Sequence, residues 1–88
     1  MNLKELTKTV QALEKRKGFD KTGKKKLLEM MQEELNLTKK CIYNKKKFDH
    51  QLSDLQILIL QLAIRNKTNL HDELIKHFRK SEERYKDI

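Results

Sequence analysis

Proline is absent from this chain, and glycine occurs only at Gly18 and Gly23. Few positions can therefore break a helix or turn the backbone sharply, so long helices with few irregular loops are expected. Tryptophan is missing too, and three phenylalanines and two tyrosines are the only aromatics. Cys41 stands alone, which excludes an internal disulfide and a cysteine-built zinc site and points to a reducing, cytoplasmic setting. A free cysteine is also an ordinary buried residue, and it is given no role. No stretch reaches the ~18 consecutive apolar residues of a membrane span. The amino terminus, MNLKELTKTV, lacks the apolar centre of a signal peptide, so no membrane partner is expected.

Charge is what the chain has in excess. Charged residues make up 39% of the 88 positions against 36% hydrophobic, and the net charge is +8. The excess is one-sided. Residues 1–47 hold 14 Lys/Arg and 6 Asp/Glu, whereas residues 48–88 hold 7 of each. The densest segment, KRKGFDKTGKKK at 15–26, sets seven basic residues against one acid. Such a field draws phosphates, whether of nucleotides, nucleic acid or anionic lipid. An exposed lysine run is also, more simply, a solvated face.

Hydrophobic spacing predicts an all-α chain of four helices, one small domain over residues 1–88. Helix one, about residues 2–16, carries Leu3, Leu6, Val10 and Leu13 in one stripe and ends at Gly18. Helix two, about 22–44, presents Leu27, Met30, Met31, Leu35, Thr38, Cys41 and Ile42 on one side, with Asp20 or Thr22 as its cap. Glu34 falls among those apolar residues, and burying a carboxylate costs several kcal/mol, roughly, unless a partner or metal compensates. Lys24, Lys25 and Lys26 oppose the dipole at the start of this helix, an arrangement that suits a bound phosphate or simply splays into water. Asp49 is the expected cap of helix three, about 50–66, which is apolar nearly all round and has Asp54, Gln61 and Arg65 as its polar line. That line reads as a solvated edge. So apolar a helix needs cover on most sides, and a homodimer or higher homo-oligomer, its interface including helix three, is expected. Helix four, about 70–86, follows an Asn69 cap and carries Leu70, Leu74, Ile75, Phe78 and Tyr85 on one side.

Several chemistries have no carrier here. There is no glycine-rich phosphate loop, and Ser53 and Ser81 lie in helical patterns without the elbow of a hydrolase nucleophile. His50, His71 and His77 are not spaced as a metal set. Carboxylates are the natural ligands of a hard cation, and Mg²⁺ can bind through one or two of them while water and substrate phosphates complete its shell. Glu33, Glu34 and Asp54 are the candidates, with Glu29 and Asp49 further off.

In order and spacing, KRKGFD followed by KKLLEMMQEEL, then LSDLQILILQLAIRNKTNLHDEL, then KSEERY, most of the chain resembles the MazG-like all-α nucleotide pyrophosphohydrolases. Each piece is weak alone, because helices rich in Leu, Glu and Lys resemble one another. The resemblance implies an Mg²⁺ site built from an E-x-x-E motif on one helix and an E-x-x-D motif on the next, and cleavage of a nucleoside triphosphate to the monophosphate and pyrophosphate. On this sequence the first motif begins at Glu34 but its second acid falls on Leu37. The second ends at Asp54 but its first acid falls on Gln51. A later K-x-x-x-N-x-x-R pattern falls on His77, Ser81 and Arg84, so only the arginine is kept.

The resemblance thus implies Glu34 and Asp54 as both metal ligands and catalytic acids and Arg84 as a phosphate contact; Glu33, at the edge of the Glu34 face, is a substitute ligand, and Lys24 and Lys25 of the basic segment are further phosphate contacts. Four function classes remain. One is an enzyme with a pared-down site; another is a catalytically silent relative that binds a nucleotide or protein. A third is a basic helical nucleic-acid binder; the fourth is a plain helical dimer whose Glu34 is neutralised by a lysine.

Overall fold

The computed structural model describes residues 1–85, the side chain of Tyr85 excepted. Among them the chain is all-α: α1 (Leu3–Lys17), α2 (Lys24–Lys40), α3 (Lys45–Arg65) and α4 (Leu70–Tyr85). The four helices expected from periodicity are present in order, with shifted ends. Helix three starts five residues early because Asn44, not Asp49, caps it: Asn44 Oδ1 accepts from the Lys47 amide at 3.1 Å. Lysine is a good helix former, so Lys45–Lys47 extend the helix, while Asp49 turns back to Lys45 at 2.7 Å. The α2–α3 connection is therefore Cys41–Asn44 rather than residues 45–49. Neither Asp20 nor Thr22 caps α2; Gly23 occupies that position without a side-chain bond. Asn2 and Asn69 cap α1 and α4, accepting from Glu5 and Asp72.

Two helix ends close with a left-handed residue. Gly18 has φ 76°, and the Phe19 amide reaches back to the Glu14 carbonyl at 2.8 Å. At the end of α3 the same task falls to Lys67, with φ 55° and the Thr68 amide on the Ala63 carbonyl at 2.9 Å. A side chain at positive φ costs of order 1 kcal/mol. Lys67→Gly is therefore expected to raise the unfolding free energy by about 1 kcal/mol in urea titration.

Helices α2 and α3 form an antiparallel hairpin. Lys24 at the start of α2 donates to Asn66, just past α3, and Glu34 meets Gln51 near the start of α3. The α2 face against α3 is Leu27, Met31, Glu34, Thr38 and Cys41, a run of alternating four- and three-residue steps. Met30, Leu35 and Ile42, expected on that face, are exposed. Helix α1 lies across the carboxy-terminal part of α3, and α4 makes only a small contact with α1. The small core combines Val10, Leu27, Leu58, Leu60 and Ala63.

The expected stripe of α1 is rotated. Its inward face runs Leu3, Thr7, Val10, Glu14, while Leu6 and Leu13 are exposed. The deeply buried acid of this chain is thus Glu14, only 2% exposed, and not Glu34, which is half-buried. Its partner comes from the polar line of α3. The Arg65 guanidinium pairs with both Glu14 oxygens and also donates to the Phe19 and Thr22 carbonyls at 2.8 and 2.6 Å. Gln61 adds a bond to Glu14 Oε2 at 3.0 Å. Gln61 and Arg65 are half-buried, so that line is a clamp between helices rather than a solvated edge.

Candidate metal and nucleotide site

Antiparallel pairing of α2 with α3 puts the acids of both helices on one seam. Glu33, Glu34 and Asp54 line a cleft of about 300 Å³ together with Met30, Ile57, Leu58 and Gln61. Each carboxylate that faces α3 or lies on it has a local partner. Gln51 Nε2 donates to Glu34 Oε2 at 2.9 Å and sits 3.4 Å from the Glu34 carbonyl oxygen. His50 Nε2 lies 3.3 Å from Asp54 Oδ2, one helical turn away. Thr38 returns its hydroxyl to the Glu34 carbonyl at 2.7 Å, which keeps this turn of α2 satisfied. Among the described residues no buried side-chain nitrogen or oxygen lacks a hydrogen-bond partner.

Gln51 therefore has a definite role. Gln51 gives Glu34 the compensation that a half-buried carboxylate needs, by a neutral donor instead of a cation. This contact was not foreseen from sequence, where a lysine or a metal was the expected partner. Leu37 lies with Gln51 on the adjoining groove, next to the cleft lined by Glu34 and Asp54. All four motif positions thus fall along one α2–α3 seam.

The expected phosphate contacts lie elsewhere in a single copy. Lys24 and Lys25 are about 15 Å along α2 from Glu34, at a rise of ~1.5 Å per residue. Lys24 donates to Asn66 Oδ1 at 2.9 Å, and Lys25 is exposed. Arg84 is exposed near the end of α4 and lines none of the cleft.

The donor chemistry suits a hard cation with few protein ligands. Among the described residues, no three His, Cys, Asp or Glu side chains are arranged to hold a metal ion. Glu34 and Asp54, one from each helix, match the smaller set that Mg²⁺ accepts when water and phosphate oxygens supply the rest. Leu37 and Gln51, the neighbours of this pair along the seam, offer no carboxylate for a second metal. Among the described residues no helix is long and apolar enough to cross a membrane. Comparison with known protein families, curated proteins and solved structures finds no match to this chain.

Proposed function

We propose that the chain is a MazG-like nucleotide-binding domain with half of its metal site retained. It binds one Mg²⁺–nucleoside triphosphate at the Glu34–Asp54 cleft and releases pyrophosphate far more slowly than a four-carboxylate site would. The observation that carries this reading is the meeting of Glu33, Glu34 and Asp54 on one cleft between α2 and α3. Bound there, Mg²⁺ would offset phosphate charge and polarise the scissile linkage. Glu34 and Asp54, one from each helix, would hold the ion, and Glu33, exposed at the edge, would assist them. Gln51 and His50 orient the two carboxylates. Met30, Ile57 and Leu58 form the apolar wall that limits water. Nothing in this set offers a second pair of carboxylates to activate the attacking water, so hydrolysis is slow.

Pyrophosphate release from a panel of ribo- and deoxyribonucleoside triphosphates with Mg²⁺ or Mn²⁺ tests this, with thermal shifts measured in parallel. A nucleotide is expected to stabilise the protein only when the metal is present, and Glu34→Ala is expected to remove both the shift and any turnover. Stabilisation that survives Glu34→Ala would place the nucleotide elsewhere.

The same reading includes a second copy of the chain. Leu52, Ile57 and Ile59 on α3 and Leu74, Ile75 and Phe78 on α4 are all exposed, Phe78 by 64%. The radius of gyration is 15.2 Å, against about 12 Å for a compact domain of this length. A chain so open and so apolar on its outside buries these faces by pairing. Sedimentation equilibrium is expected to give at least twice the 10.6 kDa chain mass, and Phe78→Asp to shift the protein towards monomer. A monomeric wild type at micromolar concentration would contradict pairing.

A further inference from the structure

The turn between α2 and α3 carries chemistry that the carboxylate cleft does not use. Lys39, Lys40, Lys45, Lys46 and Lys47 bracket Cys41–Asn44, and no acid lies between Glu34 and Asp49. Asp49 is spent on Lys45, whose ammonium is held protonated above its usual range by that hydrogen bond and charge. Among the described residues, Lys39, Lys40, Lys46 and Lys47 form no ion pair. At the centre of this charge stands Tyr43, 98% exposed, beside Ile42 at 57%. The ring has no packing role in the fold. Next to the turn is a groove of about 580 Å³ lined by Leu37, Cys41, Lys46, Lys47, His50 and Gln51. It combines an apolar wall and two ammonium groups, while His50 and Gln51 at its far side are already paired with Asp54 and Glu34.

We propose that this elbow binds single-stranded nucleic acid. Tyr43 stacks on one base; every base has a π-face, so stacking tolerates any sequence. Lys46 and Lys47 meet the neighbouring phosphates, and the remaining lysines extend the attraction along the backbone. The groove takes an adjacent base against Leu37 and Cys41. A paired duplex hides its base faces, which is why an exposed ring at a tight turn selects unpaired strands. An anionic membrane shares the charge preference, but insertion favours a broad apolar face, and here only Ile42 and Tyr43 would enter. The site needs no metal, which separates it from the carboxylate cleft.

Fluorescence anisotropy with the full chain and a labelled oligothymidylate of ~16 nucleotides tests the proposal across a salt series, in EDTA. Wild type is expected to bind at low salt, with affinity falling linearly against log salt. Tyr43→Ala is expected to weaken binding ~5- to ~100-fold without changing the salt slope. The Lys46→Ala/Lys47→Ala pair is expected to lower the slope by about 1.4, since each single-strand phosphate contact contributes ~0.7. Tyr43→Trp should keep or strengthen binding, which a folding defect would not allow. No binding by wild type at low salt would overturn the proposal. So would retention of full affinity in Tyr43→Ala, or binding to phosphatidylserine vesicles with none to the oligonucleotide.

Discussion

Arg65→Ala is expected to remove about 3–5 kcal/mol of folding free energy, the cost of leaving one member of a buried ion pair alone. For a domain of this length total stability is of order 4–13 kcal/mol, so the loss removes a large share of it. Glu14 is almost fully enclosed, and the Arg65 side chain is 12% exposed, so bulk water screens the pair poorly. Their mutual hydrogen bonds are the chief reason that the Arg65 guanidinium is held still more firmly protonated than usual, with the Coulomb attraction of Glu14 and Asp20 added. Removing Arg65 also takes the donor from the Phe19 and Thr22 carbonyls, which tie the α1–α2 connection to the end of α3. Gln61 alone cannot neutralise Glu14. Urea denaturation followed by circular dichroism measures the loss. Glu14→Leu/Arg65→Met should be far less damaged than Arg65→Ala, because both desolvation penalties vanish together. A loss below ~1 kcal/mol in Arg65→Ala would mean that Glu14 reaches solvent.

Number, order and type of the helices follow from hydrophobic spacing, because four amphipathic stretches and an almost complete lack of breakers leave few alternatives. The α2 stripe through Leu27, Glu34 and Thr38 was legible for the same reason. The α1 face was not, because periodicity counts leucines and cannot know that an acid will be matched. Leu6 and Leu13 belong to a flank, and Glu14 takes the inward position only because Arg65 and Gln61 meet it from 47 to 51 residues away in sequence. One signal was available: an arginine on a helix apolar nearly all round calls for an acid from another helix. The start of α3 was missed because both Asn44 and Asp49 are good caps, and local preference does not rank them. As for the candidate site, Glu34 and Asp54 line one cleft. The contact of Gln51 with Glu34 depends on the register of two helices, which neither helix encodes alone. The openness of α4 was equally hidden, since Leu74, Ile75 and Phe78 make a sound stripe whether or not this copy covers it.

Adding two acids to the seam is the strongest test of the proposed metal site. In Leu37→Glu/Gln51→Glu, pyrophosphate release with Mg²⁺ is expected to rise ~100-fold or more over wild type, equivalent to about 2.7 kcal/mol of transition-state stabilisation. Leu37 is half exposed, so a carboxylate is tolerated there. Gln51→Glu is the decisive change. The amide now donating to Glu34 Oε2 at 2.9 Å becomes a second acceptor, and two carboxylates in contact must share a proton or a cation. Without metal, their mutual repulsion favours taking up a proton in the folded state. The metal-free variant should therefore bind more protons folded than unfolded, be destabilised at pH ~7, and recover as pH falls towards ~5. Mg²⁺ should replace the proton, so millimolar metal should raise the variant's Tm by several degrees, a much larger shift than in wild type. The new charges also face the groove beside Tyr43, so the variant should bind the oligonucleotide more weakly as it gains turnover. Opposite movement of the two activities is expected if the seam takes a cation and the adjoining groove takes a polyanion. A variant indifferent to Mg²⁺ in both Tm and turnover would show that Glu34 and Asp54 are structural acids and nothing more.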